Sequence, residues 1–306
     1  MGAAQQMDAL ELGATLYVPA IRQDLHEIVT GRRHPNLRSS VVCLEDSIRP
    51  HDVPLALTHL AALLRRLAGH APETRPPVFV RPRDEAMLAH ILGFAGIEAV
   101  SGFVIPKATA DSLPAYLRSL ASDEHLLMPT LETREVFDQA EIRRLRDQLL
   151  SIEHRILAIR IGGNDLLHNI GTRRSQVRTA YQGPLGGTIA ALVTAFAPFG
   201  FALSAPVFEH FDNPDLLREE VAHDIEHGLL TKTAIHPVQI EVIQDCYRVG
   251  AHELAEARAI QSGDRGGVFA LNGSMCEPAT HARWAGSVLK RAAIYGVRPE
   301  AVAAAG

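Results

Sequence analysis

Charged side chains follow the carboxyl-terminal ends of several apolar segments in this sequence. Glu132 and Asp165 follow the segments LLMPTL and AIRIGGN, and each offers the carboxylate oxygens that Mg²⁺ prefers as ligands. Arg81 ends the segment PVFVR and can hold a substrate carboxylate through two parallel hydrogen bonds. A metal and an arginine together stabilise an enolate, the charge that develops when a C–C bond next to a carbonyl breaks. The residues therefore predict metal-assisted chemistry on a 2-oxo or 2-hydroxy acid.

Other charged residues occupy equivalent positions, and each has a structural explanation as well. Glu45 and Asp46 follow SVVCL and could begin a helix, while Lys107 follows GFVIP and could be a surface lysine. Asp165 could cap the helix that follows it, since aspartate is a favoured N-cap residue. Helix capping can explain each acid separately. It does not explain why an arginine and a lysine also stand at the ends of apolar segments. The combination favours a functional site.

Eight short apolar segments rich in β-branched residues must position these side chains. Their continuous apolar character indicates strands buried on both faces, as in a parallel sheet, and helix-like stretches lie between most of them. Eight strand–helix units in about 240 residues favour a (β/α)₈ TIM barrel, whose active site lies at the carboxyl ends of the strands. An open doubly wound sheet is the alternative, although no GxGxxG motif follows the first strand. The predicted strands are 15–20, 40–46, 77–82, 102–108, 125–133, 156–165, 199–206 and 229–237.

The predicted barrel occupies residues 1–250, and residues 251–306 are expected to form further helices. A glycine-rich break, DRGGVFALNGSMCEP, interrupts this second region. It contains Val268, Phe269 and Leu271, so it is more than a polar linker. We expect it to be a lid or an oligomerisation arm of a single functional domain.

The bulk composition excludes several classes of function. The chain of 306 residues carries a net charge of −5 and scattered arginines, which is not typical of a nucleic-acid-binding protein. No apolar run reaches the roughly 20 residues needed to cross a bilayer, and the N-terminus lacks the pattern of a signal peptide. The three cysteines show no CxxC spacing, so neither a disulfide framework nor a structural zinc site is expected. We expect a cytoplasmic protein that binds neither nucleic acid nor membrane.

The segments around the charged residues resemble, in order along residues 14–292, the blocks of one family. LYVPAIR is similar to the LFVPGxR start of the citrate lyase β-subunit and malyl-CoA lyase superfamily, and VVCLEDSI resembles its DxED block. VFVRPRD, GFVIPKA and MPTLET resemble its next three strands. IRIGGNDLLHNIG resembles the block that carries its second metal-binding acid, TKTAIHPVQIEVI its IHPxQ block, and GVFALNGSMCEPATHARW its GxMxxP tail. Members of this superfamily are 2-oxo-acid-type aldolases and lyases on a TIM barrel.

The resemblance implies a role for each acid of the predicted site. It implies that Glu132 and Asp165 bind Mg²⁺ or Mn²⁺ and that Arg81 holds a small carboxylic acid substrate. It also implies that Glu45 and Asp46 orient metal-bound water or the arginine from behind the metal ligands.

The resemblance further implies contacts with CoA and between subunits. Arg22 and Lys107 occupy the positions that contact the phosphates of CoA in relatives that use thioesters. Glu277 corresponds to a catalytic tail acid that is often donated across a subunit interface, and in thioester hydrolysis it would assist the attack of water. A homo-oligomer, either a trimer or a hexamer, is therefore expected.

The sequence departs from the family pattern around the substrate rather than at the metal ligands. Ala20 replaces a usual glycine, Pro82 and Arg83 replace a small residue and an asparagine, Asn164 replaces a frequent acid, and Glu277 replaces an aspartate. We predict a Mg²⁺-dependent C–C bond lyase or aldolase, with a CoA thioester as one candidate form of the substrate. The alternatives are hydrolysis of a malyl-CoA-type thioester, a transferase that uses phosphoenolpyruvate, and a non-catalytic binding protein on the same barrel.

Overall fold

Eight parallel strands form one sheet in the structure, a computed structural model that describes residues 7–69, 74–120, 124–264 and 266–299. In chain order the strands are β1 (Ala14–Pro19), β2 (Ser39–Cys43), β3 (Val78–Arg81), β4 (Gly102–Ile105), β5 (Leu126–Leu131), β6 (Ile159–Ile161), β7 (Leu203–Ser204) and β8 (Lys232–Ala234). Across the sheet the order is β7-β6-β5-β4-β3-β2-β1-β8. A bridge between Ala205, which follows β7, and Lys232 of β8 brings the two edges together. The predicted (β/α)₈ TIM barrel is therefore confirmed, with all eight strands inside the predicted segments or within one residue of them.

Helices occupy most connections between the strands. They are α1 (Leu25–Val29), α2 (Val53–Leu67), α3 (Glu85–Ile91), α4 (Leu113–Ser119), α5 (Gln139–Leu150), α6 (Gly163–Asn169), α7 (Pro184–Phe196), α8 (Pro214–Glu226) and α9 (Val238–Cys246). Asp84, Asp138 and Asn213 begin α3, α5 and α8, because each side chain accepts a hydrogen bond from a backbone N–H of the first turn. Among the residues that the structure describes, no helix is both long and apolar enough to cross a membrane.

The buried side chains of the strands form two layers, one inside the barrel and one outside it, because successive side chains of a strand point to opposite faces. Val41, Phe79, Val104 and Met128, from four neighbouring strands, share one buried cluster inside the barrel. A second buried cluster joins the outward-facing residues of β5, β6 and β7 to helices α5, α6 and α7. The inner layer fills the barrel below the carboxyl ends of the strands. Polar side chains occupy the ends themselves.

The chain divides into two compact units, Met1–Ile243 and Gln244–Gly306, with the boundary inside α9. The second unit contains α10 (Ala251–Gln261), an antiparallel hairpin of β9 (Phe269–Leu271) and β10 (Ser274–Cys276), and α11 (Pro278–Tyr295). Asn272 and Gly273 turn the hairpin with φ values of 51° and 80°, the left-handed pair that two-residue turns favour. Arg291 of α11 donates to both carboxylate oxygens of Glu253 in α10, at 2.6 and 2.7 Å. The glycine-rich break thus contains a hairpin, and its use as a lid or an oligomerisation arm stays a prediction.

Candidate active site

A cavity of about 460 Å³ opens at the carboxyl ends of the barrel strands. Barrels of this fold carry their active sites at that end, because the strand-to-helix loops meet there. The volume lies within the range of small-molecule sites. The wall includes five of the residues that the sequence singled out, namely Glu45, Asp46, Arg81, Glu132 and Asp165. Tyr17, Thr130, Arg160, Gly162, Asn164 and Thr233 also line it.

Arg81 joins two buried glutamates in this wall. Its Nη2 donates to Oε2 of Glu45 at 2.7 Å and to Oε1 of Glu132 at 2.9 Å. The side chains of all three residues are at least nine-tenths buried. Two buried carboxylates repel each other unless a positive charge lies between them, so Arg81 holds both acids in place and keeps them charged.

Lys107 completes the network from the loop after β4. Its backbone N–H donates to Oε1 of Glu132 at 2.8 Å, and its Nζ contacts the carboxylates of Glu45 and Asp46, the second at 3.1 Å. The residue adopts a φ of 47°, a conformation that is uncommon for residues other than glycine and concentrates at functional sites. Lys107 thereby contacts three acids of the cavity, one through its backbone and two through its side chain.

Burial and neighbouring charges shift the pKa values of these groups in different directions. Burial raises the pKa of Glu132 to about 6, against the opposing effects of Arg81 and the Lys107 N–H. Burial also raises the pKa of Asp165. Burial acts to raise the pKa of Glu45 as well, but the positive charges of Arg81 and Lys107 outweigh it. The pKa of Glu45 is therefore lowered. A carboxylate with a raised pKa favours additional positive charge beside it, and this applies to Glu132 and Asp165.

Asp165 lies in the first turn of α6 rather than at its N-cap. The N-cap residue is Gly162, and no side chain caps this helix, so the capping role considered for Asp165 is not observed. Asn169 links the two acidic residues, since its Nδ2 donates to the backbone oxygens of Glu132 at 3.2 Å and Asp165 at 2.8 Å. Strands β5 and β6 are neighbours in the sheet. The structure therefore places Glu132 and Asp165 at the ends of adjacent strands and in the wall of one cavity.

The donor set of this wall fits a hard divalent cation. Oε1 of Glu132 accepts the hydrogen bonds from Arg81 and Lys107, whereas Oε2 lies beside Gly162, where an added Cβ would come within 2.4 Å of it. Within the described ranges, no group of three or more His, Cys, Asp and Glu residues is arranged to hold a metal, so the closed pattern of a structural zinc site is not found there. Mg²⁺ commonly uses one or two carboxylates and takes its other ligands from water and substrate. Glu132 and Asp165 could supply that pair.

Three of the sequence-predicted site residues do not line this cavity. Lys107 contacts the acids of its wall, whereas Arg22 and Glu277 have other partners. Arg22 donates through Nε and Nη2 to the carboxylate of Asp24, both at 2.8 Å, and lines a separate cavity of about 210 Å³ that also includes His59. Glu277 belongs to the C-terminal unit, where it precedes α11 and accepts a hydrogen bond from Thr280 at 3.0 Å. The roles of Arg22 and Glu277 stay predictions.

Arg160 is a charged wall residue that the sequence pattern did not reveal. It lies in the middle of β6 with 1% of its surface exposed, and its Nη2 donates to the Thr233 hydroxyl at 2.7 Å. The signal is an arginine inside the apolar run ILAIRIGG. Because strand side chains alternate, an arginine between Ile159 and Ile161 points to the other face of the sheet, which here is the barrel interior.

Comparisons with known proteins agree with this architecture. A model of the family described as C–C bond lyases of the TIM-barrel fold matches residues 6–297. The chain is similar to a (3S)-malyl-CoA thioesterase of Cereibacter sphaeroides, with 26% identity over 273 residues that cover 86% of this chain and 89% of the relative. It is also similar to the citrate lyase subunit beta of Escherichia coli, with 26% identity over 159 residues, about half of each chain.

A solved structure of similar fold is CitE from Mycobacterium tuberculosis in complex with magnesium, acetoacetate and coenzyme A. The TM-score is 0.69 at 22% identity, and the match covers 93% of this chain and 99% of that chain. RipC from Yersinia pestis matches with a TM-score of 0.61 at 21% identity, covering 81% of this chain and 100% of that chain. At these identities the likeness shows the fold.

Proposed function

We propose that this chain, which belongs to the C–C bond lyases of the TIM-barrel fold, cleaves or forms a C–C bond next to the carbonyl of a 2-oxo or 2-hydroxy acid in a Mg²⁺-dependent reaction. The observation that carries the proposal is that Glu132, Asp165 and Arg81 meet in the wall of one cavity at the carboxyl ends of the strands. Two acids with raised pKa values and a buried arginine are suited to hold a cation and an anionic substrate together.

In this proposal the residues of the chain divide the work of enolate formation. Glu132 and Asp165 hold the cation, which when bound supplies a Lewis acid for the developing negative charge. Arg81 orients Glu132 through the 2.9 Å hydrogen bond and keeps a fixed positive charge beside the reacting carbonyl. Arg81 and Lys107 keep Glu45 ionised, and Glu45 in turn holds the side chains of Arg81 and Lys107 in position. Burial of Arg81 and both glutamates excludes water, so their charges act with little screening.

Hydrolysis or cleavage of a CoA thioester is the second candidate function. It is supported by the relative named (3S)-malyl-CoA thioesterase and by the coenzyme A bound to CitE of M. tuberculosis. In this chain, however, Lys107 contacts Glu45 and Asp46, and Arg22 pairs with Asp24. A CoA phosphate would have to replace these carboxylates as the partner of each cation. These ion pairs favour a free acid as the substrate.

The metal site is tested by the variants Asp165→Ala and Glu132→Gln. We expect the wild-type protein to bind Mg²⁺ in a calorimetric titration and to unfold at a higher temperature when it is bound, because a ligand of the folded state stabilises that state. Each variant should bind Mg²⁺ at least about tenfold more weakly, since a lost ligand is not replaced. Asp111→Ala, which removes a carboxylate with 81% of its side chain exposed, is the control and should bind normally. Unchanged Mg²⁺ binding by Asp165→Ala would place the metal elsewhere.

The chemistry is tested by hydrogen exchange in a simple 2-oxo acid. Enolate formation releases a proton from the carbon next to the carbonyl, so pyruvate in D₂O should gain deuterium at its methyl group, which NMR detects. We expect exchange with the wild-type protein and Mg²⁺, and none with EDTA or with Asp165→Ala. Exchange that continues at the same rate in EDTA would contradict a metal-dependent enolate.

A further inference from the structure

Two wall residues of the cavity lie deeper than the acids that would hold the metal. Thr130 precedes Glu132 by two residues along β5, and Arg160 precedes Gly162 by two residues along β6. Thr130 and Arg160 are partners in the register of the two strands. Because a strand rises about 3.3 Å per residue, this pair lies roughly 7 Å closer to the barrel centre than Glu132. We call Thr130, Arg160 and Thr233 the arginine floor of the cavity.

Contacts from other strands fix the direction of the Arg160 guanidinium. Its Nη2 donates to the Thr233 hydroxyl of β8 at 2.7 Å, and its Cζ lies 5.3 Å from the ring centre of Tyr17 in β1. Nη1 lies 3.6 Å from the sulfur of Met128. An arginine side chain stays protonated at every physiological pH and matches a carboxylate through a planar pair of donors. The floor therefore presents a fixed positive charge beneath the reacting centre.

Thr130 adds a hydroxyl to the arginine floor. Its residue exposure is 2%, it lines the cavity, and its Oγ1 is buried without a hydrogen-bond partner in the described part of the chain. Buried polar groups are almost always hydrogen-bonded. Oγ1 has almost no exposed surface in this rotamer, so rotation about χ1 would turn it towards a bound carboxylate and give it the partner that it lacks.

Arg81 and Arg160 differ in what they contact. Arg81 uses one nitrogen for Glu45 and Glu132, so it belongs to the acidic cluster at the rim. Arg160 contacts a hydroxyl, a thioether and an aromatic ring at the floor. The two arginines thus stand at two levels of one cavity, and each level can recognise a negative group.

We propose that Arg160 and Thr130 bind a second carboxylate of the substrate, so that the enzyme prefers dicarboxylic 2-oxo or 2-hydroxy acids to monocarboxylic ones. The proposal rests on the proposed function, because the first carboxylate and the carbonyl are assigned to the metal site. It adds the class of substrate, which the acids at the rim do not determine. Arg160 is then a specificity residue, and the carboxylate that it binds takes no part in bond cleavage.

The test compares matched ligands that differ in one group. 2-Oxoglutarate and 2-oxopentanoate have the same chain length but end in a carboxylate and a methyl group, and oxaloacetate and 2-oxobutyrate form a shorter pair. Titration calorimetry with Mg²⁺ should show that wild-type protein binds the diacid of at least one pair about tenfold or more tightly, since a paired arginine–carboxylate contact is strong. Equal affinities within both pairs would overturn the proposal without any variant.

Variants then assign the preference to the floor. Arg160→Met should reduce the preference for the diacid to about twofold or less, and Thr130→Val should reduce it in part, because each removes a donor to the second carboxylate. Arg146→Met, which changes an arginine that packs on Phe199 and does not line the cavity, is the control. A preference that survives in folded Arg160→Met overturns the proposal. If this variant does not fold, Thr130→Val and the wild-type pairs decide.

Repeating the titrations in EDTA and titrating Mg²⁺ alone separates this proposal from the proposed function. Mg²⁺ binding with no preference for diacids would retain the metal site and reject the arginine floor. A preference for diacids that depends on Arg160, in a protein that does not bind Mg²⁺, would support the floor and reject the metal-dependent reaction.

Discussion

At the scale of single residues, Gly162 determines how Glu132 meets a cation. A Cβ at this position would lie 2.3 Å from the Cβ of Glu132 and 2.4 Å from its Oε2. Gly162→Ala should therefore displace the Glu132 carboxylate and weaken Mg²⁺ binding by about tenfold, the order of effect seen when a metal ligand is moved. Calorimetric titration of Mg²⁺ measures this change.

The matched control for this prediction is Gly187→Ala. Gly187 lies in α7 with no atom within 4 Å of an added Cβ, so alanine should leave Mg²⁺ binding unchanged and stabilise the helix by up to about 1 kcal/mol. Equal Mg²⁺ affinity in Gly162→Ala and Gly187→Ala would mean that Glu132 is not a ligand, or that its carboxylate moves without cost.

Arg81 allows a second prediction at this scale. In Arg81→Lys the positive charge between Glu45 and Glu132 remains, so we expect most of the folding stability to remain. A point charge cannot reproduce the guanidinium geometry, and deuterium exchange into pyruvate should fall roughly a hundredfold, as when a preorganised donor is lost. Arg81→Met should instead lower the free energy of unfolding by about 3–5 kcal/mol, because it leaves buried carboxylates uncompensated. If Arg81→Lys loses stability and exchange in equal proportion, Arg81 is a structural ion pair alone.

At the scale of elements, the strands and their carboxyl ends could be predicted from the sequence, and charged residues inside the packing could not. Apolar runs such as SVVCL and LLMPTL determine buried strands almost by themselves, and the residue after each run falls at one end of the barrel. Patterns of polarity assign charges to the surface, however. That assignment fails for Arg160 inside β6, whose partner Thr233 lies 73 residues further along the chain. It also fails for Lys232 at the start of β8, whose partners Glu220 and Asp224 come from the preceding helix α8. In both cases the fold, and not the local pattern of polarity, brings the partner to the buried charge.

Lys232 joins helix α8 to strand β8 through buried ion pairs. Its fully buried Nζ donates to Glu220 at 2.9 Å and to Asp224 at 2.8 Å, which attaches α8 to the strand that closes the barrel. Lys232→Met should lower the free energy of unfolding, measured with urea, by about 3–5 kcal/mol, since two buried acids lose their shared cation. Arg218→Met breaks an exposed pair with Asp215 and should cost no more than about 1 kcal/mol. Similar losses in the two variants would show that the buried network contributes little.

At the scale of the whole molecule, the C-terminal unit exposes apolar side chains that favour an oligomer. Val268, Met275 and Trp284 have 60%, 62% and 41% of their surface exposed, and Val268 and Met275 lie at or beside the hairpin in the segment predicted to be an oligomerisation arm. We expect analytical ultracentrifugation to show a trimer or hexamer of the 33.2 kDa chain. Met275→Glu should shift it towards the monomer, because a charge in an apolar interface is costly to desolvate. Val177→Glu, at a valine with 81% exposure in the barrel unit, is the matched control. A wild-type monomer would reject the oligomer.

An oligomer gives the predicted role of Glu277 a test that separates the two units. Glu277→Gln and Arg81→Lys impair different units of the chain, so each variant alone should exchange deuterium into pyruvate slowly. If Glu277 acts on the cavity of a neighbouring subunit, mixed oligomers contain sites that combine an intact cavity with an intact Glu277. Random mixing of equal amounts should then restore roughly a quarter of the wild-type exchange rate, because half of the cavities and half of the donated acids are intact. If Glu277 acts within its own chain, every site keeps one defect, and the mixture exchanges no faster than the average of the two variants.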